Sequence, residues 1–307
     1  MSHDIHPEFK VQDAASYDPV VSSFDRFSDR FSAPLAEGMI ALSGLSGSER
    51  VLDVGTGTGI VAIRAAEAVG PAGKVVGVDL SEGMLARAAE KAARAGVGDR
   101  LELAKMDAEA LQLDGDSFDA AFSLFALRHF PDPVAALKEM HRVLRPGGRL
   151  VVAIGSGPSW LSLRGLFHRL GRLPGVVRER LGRRLSAPAS LNSLINASIP
   201  SEDEPEETSW SRSSRDRWAI LPELVRAAGF RELQSRWMGR EFLIETPEEF
   251  WELQATFSSM ARKRLSRAST VESVALREKF LATCQAVQAR GGALVYPVGA
   301  SVVTARR

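Results

Sequence analysis

The chain has 307 residues, of which 45% are hydrophobic and 25% charged, enough apolar material for one large core with attached caps, which excludes a wholly disordered chain. Lys and Arg total 39 against 38 Asp and Glu, a formal charge of +1, so no overall field draws the protein toward phosphate backbones or acidic membranes. The single cysteine, Cys284, excludes an intramolecular disulfide framework and a CxxC metal site, and its expected role is that of a small buried apolar side chain.

The start, MSHDIHPEFK, carries Asp4 and Glu8 where a secretory signal needs a basic start and an apolar run. No stretch approaches 18 uncharged apolar residues, so no stable membrane insertion is expected and a cytoplasmic location fits best. Residues 1–44 read as an amino-terminal helical region, followed by a core at 45–155 in which short β-branched runs alternate with helical segments. The strands are expected at Arg50–Val54, Lys74–Asp79, Leu101–Lys105, Phe118–Leu124 and Arg149–Ile154, a pattern that predicts a parallel sheet with helices on both faces. Ser81 is placed to cap a helix running to Ala95, with Gly96 to end it. Pro133 sits in the first turn of a further helix, which Pro146-Gly147-Gly148 stops.

Residues 156–215 read as a helical and loop cap insertion, opening with the apolar and basic Trp160–Leu185 stretch and closing on the acidic SEDEPEETSWSRSS loop. Residues 216–307 complete the core sheet. They hold a helix in LPELVRAAGF ended by Gly229, a strand at Arg231–Ile244, a helical insertion at about 247–290 with helices over Pro247–Leu265 and Val271–Ala289, and a final strand in ALVYPVGASVVTARR.

The sharpest local signal is VLDVGTGTGI, a strand followed by Gly55, Gly57 and Gly59 before a helix. A dinucleotide site uses GxGxxG in this position. Here the spacing is GxGxG, and Asp53 precedes it by two residues; that carboxylate repels a pyrophosphate but attracts the cationic amino group of a methionine moiety, which favours S-adenosylmethionine. Asp79, at the end of the second strand, can accept both ribose hydroxyl hydrogens. Asp107 and the Ala108 N–H follow the third strand, where an adenine ring would lie, although Asp107 can equally serve as a helix N-cap. Met84, one turn into the next helix, either covers the adenine face or belongs to the core.

VLDVGTGTG, VVGVDLSEGML, DAEAL, DSFDAAFSLFALRHF and VLRPGGRLVV, in this order, resemble the class I S-adenosylmethionine-dependent methyltransferases, and within them the ubiquinone/menaquinone biosynthesis C-methyltransferase branch. The resemblance implies a doubly wound Rossmann-like α/β fold, a seven-stranded sheet with an antiparallel last strand and helical cap insertions. It implies that Asp53, Gly55, Thr56, Gly57 and Gly59 hold the methionine end, Asp79 with the adjoining Leu80 the ribose, and Asp107 with Ala108 the adenine. The segment from Ser123 to His129 would border cofactor and substrate. Upstream, AASYDPV is similar to the family's opening helix with its Tyr-Asp pair, which brings Tyr17 over the cofactor. Where that branch usually has Gly-Leu-Arg-Asn, this chain has Ala126-Leu127-Arg128-His129, and its carboxyl-terminal region is longer.

A sulfonium methyl is already activated, so alignment, exclusion of water and removal of a proton suffice, and no metal is expected. His129 is the leading candidate for general base, with Tyr17 and Arg128 as further substrate contacts. His141, inside an amphipathic helix, reads as structural. The expected acceptor is a small molecule, apolar or aromatic, held in a chamber drawn from Trp160, Phe167, Trp251 and Phe257. No Asn/Asp-Pro-Pro-aromatic motif follows the fourth strand, so nucleic acid is not the expected acceptor. A homo-oligomer is compatible with the sequence. The competing readings are an NAD-dependent oxidoreductase on the same sheet and a non-catalytic S-adenosylmethionine-binding protein.

Overall fold

The computed structural model describes residues 7–156, 184–199 and 217–307. The amino-terminal segment comprises α1 (Pro7–Ala15), a 3-10 turn (Asp18–Val20), α2 (Val21–Phe27), a π-helical turn (Ser28–Ser32) and α3 (Ala33–Ser43). The Tyr17-Asp18 pair therefore follows α1, with Asp18 opening the 3-10 turn that takes Pro19 in its first positions, where a missing N–H is tolerated.

The core then alternates as expected: β1 (Arg50–Val54), α4 (Ile60–Ala68), β2 (Lys74–Asp79), α5 (Glu82–Arg94), β3 (Leu101–Lys105), β4 (Phe118–Leu124), a 3-10 turn (Ala126–His129), α6 (Pro133–Val143) and β5 (Leu144–Gly155). Ser81 caps α5 by accepting from the Met84 N–H at 3.2 Å, and Asp132 caps α6 ahead of Pro133. Pro146-Gly147-Gly148 does follow α6, but as an irregular, exposed opening of β5, which is longer than the sequence suggested. The remaining described elements are β6 (Arg184–Ser186), a three-residue strand with no sequence forewarning, α7 (Ala187–Ser198), α8 (Arg217–Ala227), β7 (Arg231–Ile244), α9 (Pro247–Phe257), α10 (Ser259–Arg267), α11 (Thr270–Ala289) and β8 (Ala293–Arg306). The single helix expected over Pro247–Leu265 is divided at Ser258, whose extended backbone ends α9 and whose hydroxyl caps α10.

The strand order is β3-β2-β1-β4-β5-β8, with β7 on the far side of β8. Strands β1 to β5 are parallel, and β8 is antiparallel to both β5 and β7, so the seven-stranded sheet with a reversed last strand is present, with β6 added beside β8. One face buries Val51, Phe122, Val151 and Ala153 under α3 and α4. The other buries Leu52, Val54, Leu150 and Val152 under α6 and α8. Such two-sided burial is why these strands are continuous apolar runs rather than alternating ones.

The lengths of β7 and β8 decide where the cap sits. Only Ala300–Arg306 of β8 pairs with β5, whereas β7 follows β8 as far as Leu294. The other half of this two-stranded ribbon projects past the carboxyl end of β5 and carries α9, α10 and α11 over that edge of the sheet. Phe27, Phe31, Leu191, Ile195, Phe250, Leu253, Phe280 and Cys284 form the cap's own buried cluster. Burial pushes the Cys284 thiol up to about 12, an inert apolar filler as expected. Trp251 packs on Phe280 with ring centroids 5.6 Å apart, inside this cluster, while Trp160 and Phe167 lie outside the described residues, as does nearly all of the Trp160–Leu185 stretch and the acidic loop after it.

Asp25 on α2 fixes the amino-terminal segment to the core. Its buried carboxylate accepts from Arg87 Nε at 2.7 Å and Lys91 Nζ at 2.5 Å, both on α5. Burial alone would raise its pKa, but the Lys91 and Arg87 contacts outweigh it and hold the carboxyl below its ordinary range. A carboxyl depressed in the folded state stabilises above its unfolded value and loses that contribution as the pH falls through the folded one. Asp25→Ala is therefore expected to cost about 1–3 kcal/mol in urea unfolding at neutral pH, and the gap from wild type should close progressively below pH 3.8.

Candidate active site

The carboxyl edge of β1 and β2 is built around Asp53 and Asp79. The register pairs Val54 with Val78, which leaves Asp79 level with the glycine turn. The Gly55 and Thr56 N–H groups both donate to the Val78 carbonyl at 2.9 Å, and the Gly57 N–H donates to Asp79 Oδ2 at 2.9 Å, while Asp79 Oδ1 accepts from the Ser81 N–H at 3.0 Å. The turn is thus tied to β2 by backbone and side chain together.

The glycines of the turn have different reasons to be glycine. Gly55 has φ 71°, and a Cβ there would stand 2.2 Å from the Ala126 Cβ, so its bareness makes room for the loop after β4. At Gly57, φ 53°, a Cβ would meet only the Phe24 ring edge at 3.9 Å; this is the face of the turn open to a ligand.

Asp53 is 1% exposed, and its Oδ2 accepts from Thr56 Oγ1 at 2.7 Å and from the Ala62 N–H at 3.1 Å, leaving Oδ1 without a partner among the described residues. Burial pushes its carboxyl up to about 7, with the nearby Asp79 charge contributing and the Thr56 and Ala62 hydrogen bonds opposing. Burial also raises Asp79. Desolvation opposes the ionisation of both carboxylates, and the Asp79 charge opposes that of Asp53 as well, so the site gains most from a cation.

Leu80 is half-buried beside Asp79, whereas Met84, at 2% exposure, lies within the α5 interface. Ser123, near the end of β4, is fully buried with its Oγ unpartnered. Asp107 does not cap a helix: the chain after β3 makes a turn, closed by the Ala110 N–H on the Asp107 carbonyl at 3.1 Å, with Ala108 buried. Its Oδ1 accepts from the Glu109 N–H, and its Oδ2 takes the Lys10 ammonium at 2.8 Å, with Glu109 accepting from the same ammonium at 2.6 Å. The α1 helix is thus pinned beside the exit of β3.

A second cluster joins α1, the loop after β4 and the cap. His129 Nδ1 lies 2.7 Å from Asp13 Oδ2, and His129 Nε2 lies 3.2 Å from the Tyr17 hydroxyl. Asp13, 4% exposed, also holds Lys263 of α10 at 2.5 Å. Burial alone would raise the Asp13 carboxyl, but His129 and Lys263 keep it well below the carboxylate range. With Asp13 ionised, the imidazole donates through Nδ1 and keeps Nε2 as an acceptor for the Tyr17 hydroxyl. Burial raises the Tyr17 pKa, so the phenol stays protonated at neutral pH. Its ring makes an edge contact with Phe24 at 5.5 Å, Phe24 meets Phe257 at 5.3 Å, and Phe257 faces Tyr296 at 6.3 Å, an aromatic wall running from the site into the cap. Arg128, by contrast, reaches toward Gly155 at the end of β5. His141 packs edge-on against Phe230 at 5.0 Å, far from this cluster in role, as a structural histidine.

Sequence reasoning brought together Asp53, the glycines, Asp79, Tyr17 and His129. It missed Lys10, Asp13, Lys263 and Arg262, because each is an ordinary charged residue on a helix and its partner is supplied by the tertiary fold.

The family described as a methyltransferase domain matches residues 51–148. A ubiquinone/menaquinone biosynthesis C-methyltransferase of Hahella chejuensis is 37% identical over 150 residues, 48% of this chain and 60% of that protein. A demethylmenaquinone methyltransferase of Geobacillus kaustophilus is 35% identical over 189 residues, 61% of this chain and 72% of that protein. Among solved structures, the [4+2]-cyclase SpnF superposes with a TM-score of 0.51 at 23% identity, covering 90% of this chain and 81% of that one. The YcgJ protein of Bacillus subtilis gives 0.51 at 20% identity, covering 89% and 97%. At these identities the structural matches speak for the fold.

The buried state of Asp53 yields a measurable consequence. A folded-state value of about 7 against the ordinary 3.8 means that at pH 6 the free protein holds a proton which a bound ammonium group would expel. Calorimetry of S-adenosylhomocysteine at pH 6, in buffers of different ionisation enthalpy, is expected to show release of up to about one proton per site. Asp53→Asn, or 5′-methylthioadenosine as ligand, should abolish it. Binding heats independent of buffer would contradict the assignment.

Proposed function

The chain belongs to the class I S-adenosylmethionine-dependent methyltransferases and resembles their ubiquinone/menaquinone branch, and on that premise we propose that it methylates a small aromatic acceptor bearing an ionisable oxygen. S-adenosylmethionine is the cofactor. The observation that carries the acceptor reading is the Asp13–His129–Tyr17 chain, which faces an aromatic wall at the sheet edge where Asp79 and the glycine turn meet. The chain spans 60% of the Hahella relative's length, and its cap helices α9 to α11 follow the matched domain, so the acceptor is argued from this chain's own residues.

The residues at hand suit the cofactor. The unpartnered oxygen of buried Asp53 and the paired Asp79 favour a cationic, hydroxyl-bearing ligand over a pyrophosphate, and the bare face of Gly57 admits it against backbone. Asp53 with Gly55, Thr56, Gly57 and Gly59 would hold the methionine end, Asp79 and Leu80 the ribose, Asp107 and Ala108 the adenine, with Met84 and Ser123 supporting from behind.

When bound, the cofactor supplies a methyl group on a positively charged sulfur, a leaving group that needs no further activation. The acceptor's carbon or oxygen forms the new bond to that methyl as the methyl–sulfur bond breaks, its electron pair remaining on sulfur. The acceptor's proton passes to the Tyr17 hydroxyl as that hydroxyl hands its own to His129 Nε2. Asp13 steadies the imidazolium so formed, and Lys263 keeps Asp13 ionised. The aromatic wall and α1 exclude water from the reacting atoms.

Methyl transfer from labelled S-adenosylmethionine to 1,4-naphthohydroquinone is the expected activity. His129→Gln should lower kcat by about 10²–10⁴ with S-adenosylhomocysteine affinity unchanged, and Asp13→Asn should lower it less. Transfer confined to small aliphatic amines would overturn the reading.

A further inference from the structure

Arg262, on α10, is 7% exposed. Its guanidinium carbon lies 3.9 Å from the centroid of the Tyr17 ring, and Nη1 donates to the Thr256 carbonyl, where α9 ends. Nε and Nη2 are buried with no well-aligned hydrogen-bond partner among the described residues, although the guanidinium lies close enough to the Tyr17 hydroxyl to oppose the rise of its pKa, and no carboxylate of the described residues forms an ion pair with it. The neighbouring Lys263 is matched by Asp13, whereas Arg262 has no ion pair with a carboxylate of the described residues.

A buried guanidinium with vacant donors is costly, because desolvation is not offset by hydrogen bonds. Within the fold the guanidinium gains one backbone hydrogen bond, at the end of α9, and the face of the Tyr17 ring, which leaves Nε and Nη2 unanswered. The arrangement makes sense when the missing acceptors arrive with a ligand, since a planar fork of N–H groups suits a carboxylate or phenolate oxygen. Its surroundings point to the acceptor rather than to the cofactor. Arg262 touches Tyr17 and, through it, His129, and sits on the cap rather than on the strands and turns that carry Asp53 and Asp79.

We propose that Arg262 seats an anionic oxygen of the methyl acceptor, a phenolate, enolate or carboxylate, above the Tyr17 ring. This rests on the site being a methyl-transfer site. For a phenolic acceptor, the same contact holds the ionised oxygen while the proton leaves toward Tyr17 and His129, so Arg262 both selects the acceptor and favours its reactive form. The cap insertion that carries Arg262 is thereby the part of the chain that determines specificity.

The test uses the full chain with S-adenosylhomocysteine bound, titrated with 2-hydroxy-1,4-naphthoquinone, which carries an acidic oxygen, and with 2-methoxy-1,4-naphthoquinone, the same ring with that oxygen blocked. Wild type is expected to prefer the acidic probe by roughly tenfold or more. Arg262→Gln should erase the preference and leave S-adenosylhomocysteine affinity unchanged. Arg262→Lys, which keeps charge without the fork, should retain a reduced preference, and it preserves the test if the glutamine variant unfolds. Equal binding of the probes by wild type, or a preference that survives in Arg262→Gln, overturns the proposal. So does a loss in Arg262→Gln of affinity for S-adenosylhomocysteine but not for 5′-methylthioadenosine, which would place Arg262 on the cofactor's carboxylate. Failure of wild type to bind S-adenosylhomocysteine would instead sink the methyl-transfer reading itself.

Discussion

Two acidic side chains, Asp53 and Asp79, are held at the carboxyl edge of adjacent parallel strands, and the site depends on this electrostatically unfavourable pairing. Burial raises both, and the Asp79 charge raises Asp53 further. The strain is contained because Asp79 is tied to the Gly57 and Ser81 N–H groups and Asp53 to Thr56 and the start of α4. The hydrogen bonds that satisfy the carboxylates are the ones that shape the glycine turn. Conformation and affinity for a cation therefore have one cause.

The remaining architecture encloses that edge. The β7–β8 ribbon outruns β5 by about half its length and carries the cap beyond the sheet, while Asp25 anchors α2 to α5 beneath it. Between these, α1 is fastened at Lys10 to Asp107 and Glu109, and at Asp13 to His129 and Lys263. One short helix thus touches the turn after β3, His129 and the cap. In the proposed mechanism solvent exclusion, base orientation and acceptor recognition are joined through it, so single changes in α1 are expected to affect more than one step.

Much of this was legible in the sequence. The core strands announced themselves as β-branched runs bounded by turn residues, and Ser81, Pro133 and Gly96 marked helix ends through chemistry local to a few residues. The GxGxG turn and the acids ending β1 and β2 were readable because ligand-binding edges of parallel sheets have a fixed relation to chain order. Less legible were features set by distance in the chain. Asp13 meets His129 across 116 residues, and Arg262 reaches Tyr17 from an insertion whose composition reads as an ordinary basic helix. The break at Ser258 was hidden because α9 and α10 continue each other in amphipathic pattern, and the length of β5 because Pro146-Gly147-Gly148 signals a turn as readily as an irregular strand opening. Aromatic residues were the least informative: Trp251 and Phe257 both pack against the cap cluster, Trp251 on Phe280 and Phe257 on Phe24, whose ring also meets Tyr17.

A fold of this kind hosts more than one chemistry, as its likeness to a [4+2]-cyclase illustrates, so the account stands on the site rather than on the sheet. Its central claim is that the Asp79 carboxylate, fixed by Gly57 and Ser81, holds the ribose of an adenosyl cofactor beside the glycine turn. The most direct measurement is a calorimetric titration of wild type and Asp79→Ala with S-adenosylmethionine, S-adenosylhomocysteine and NADH. The account predicts that both adenosyl compounds bind wild type, that NADH does not, and that the substitution weakens both by tenfold or more, roughly the loss of a charge-assisted hydrogen bond. Binding of NADH alone, or adenosyl binding indifferent to Asp79, would contradict it.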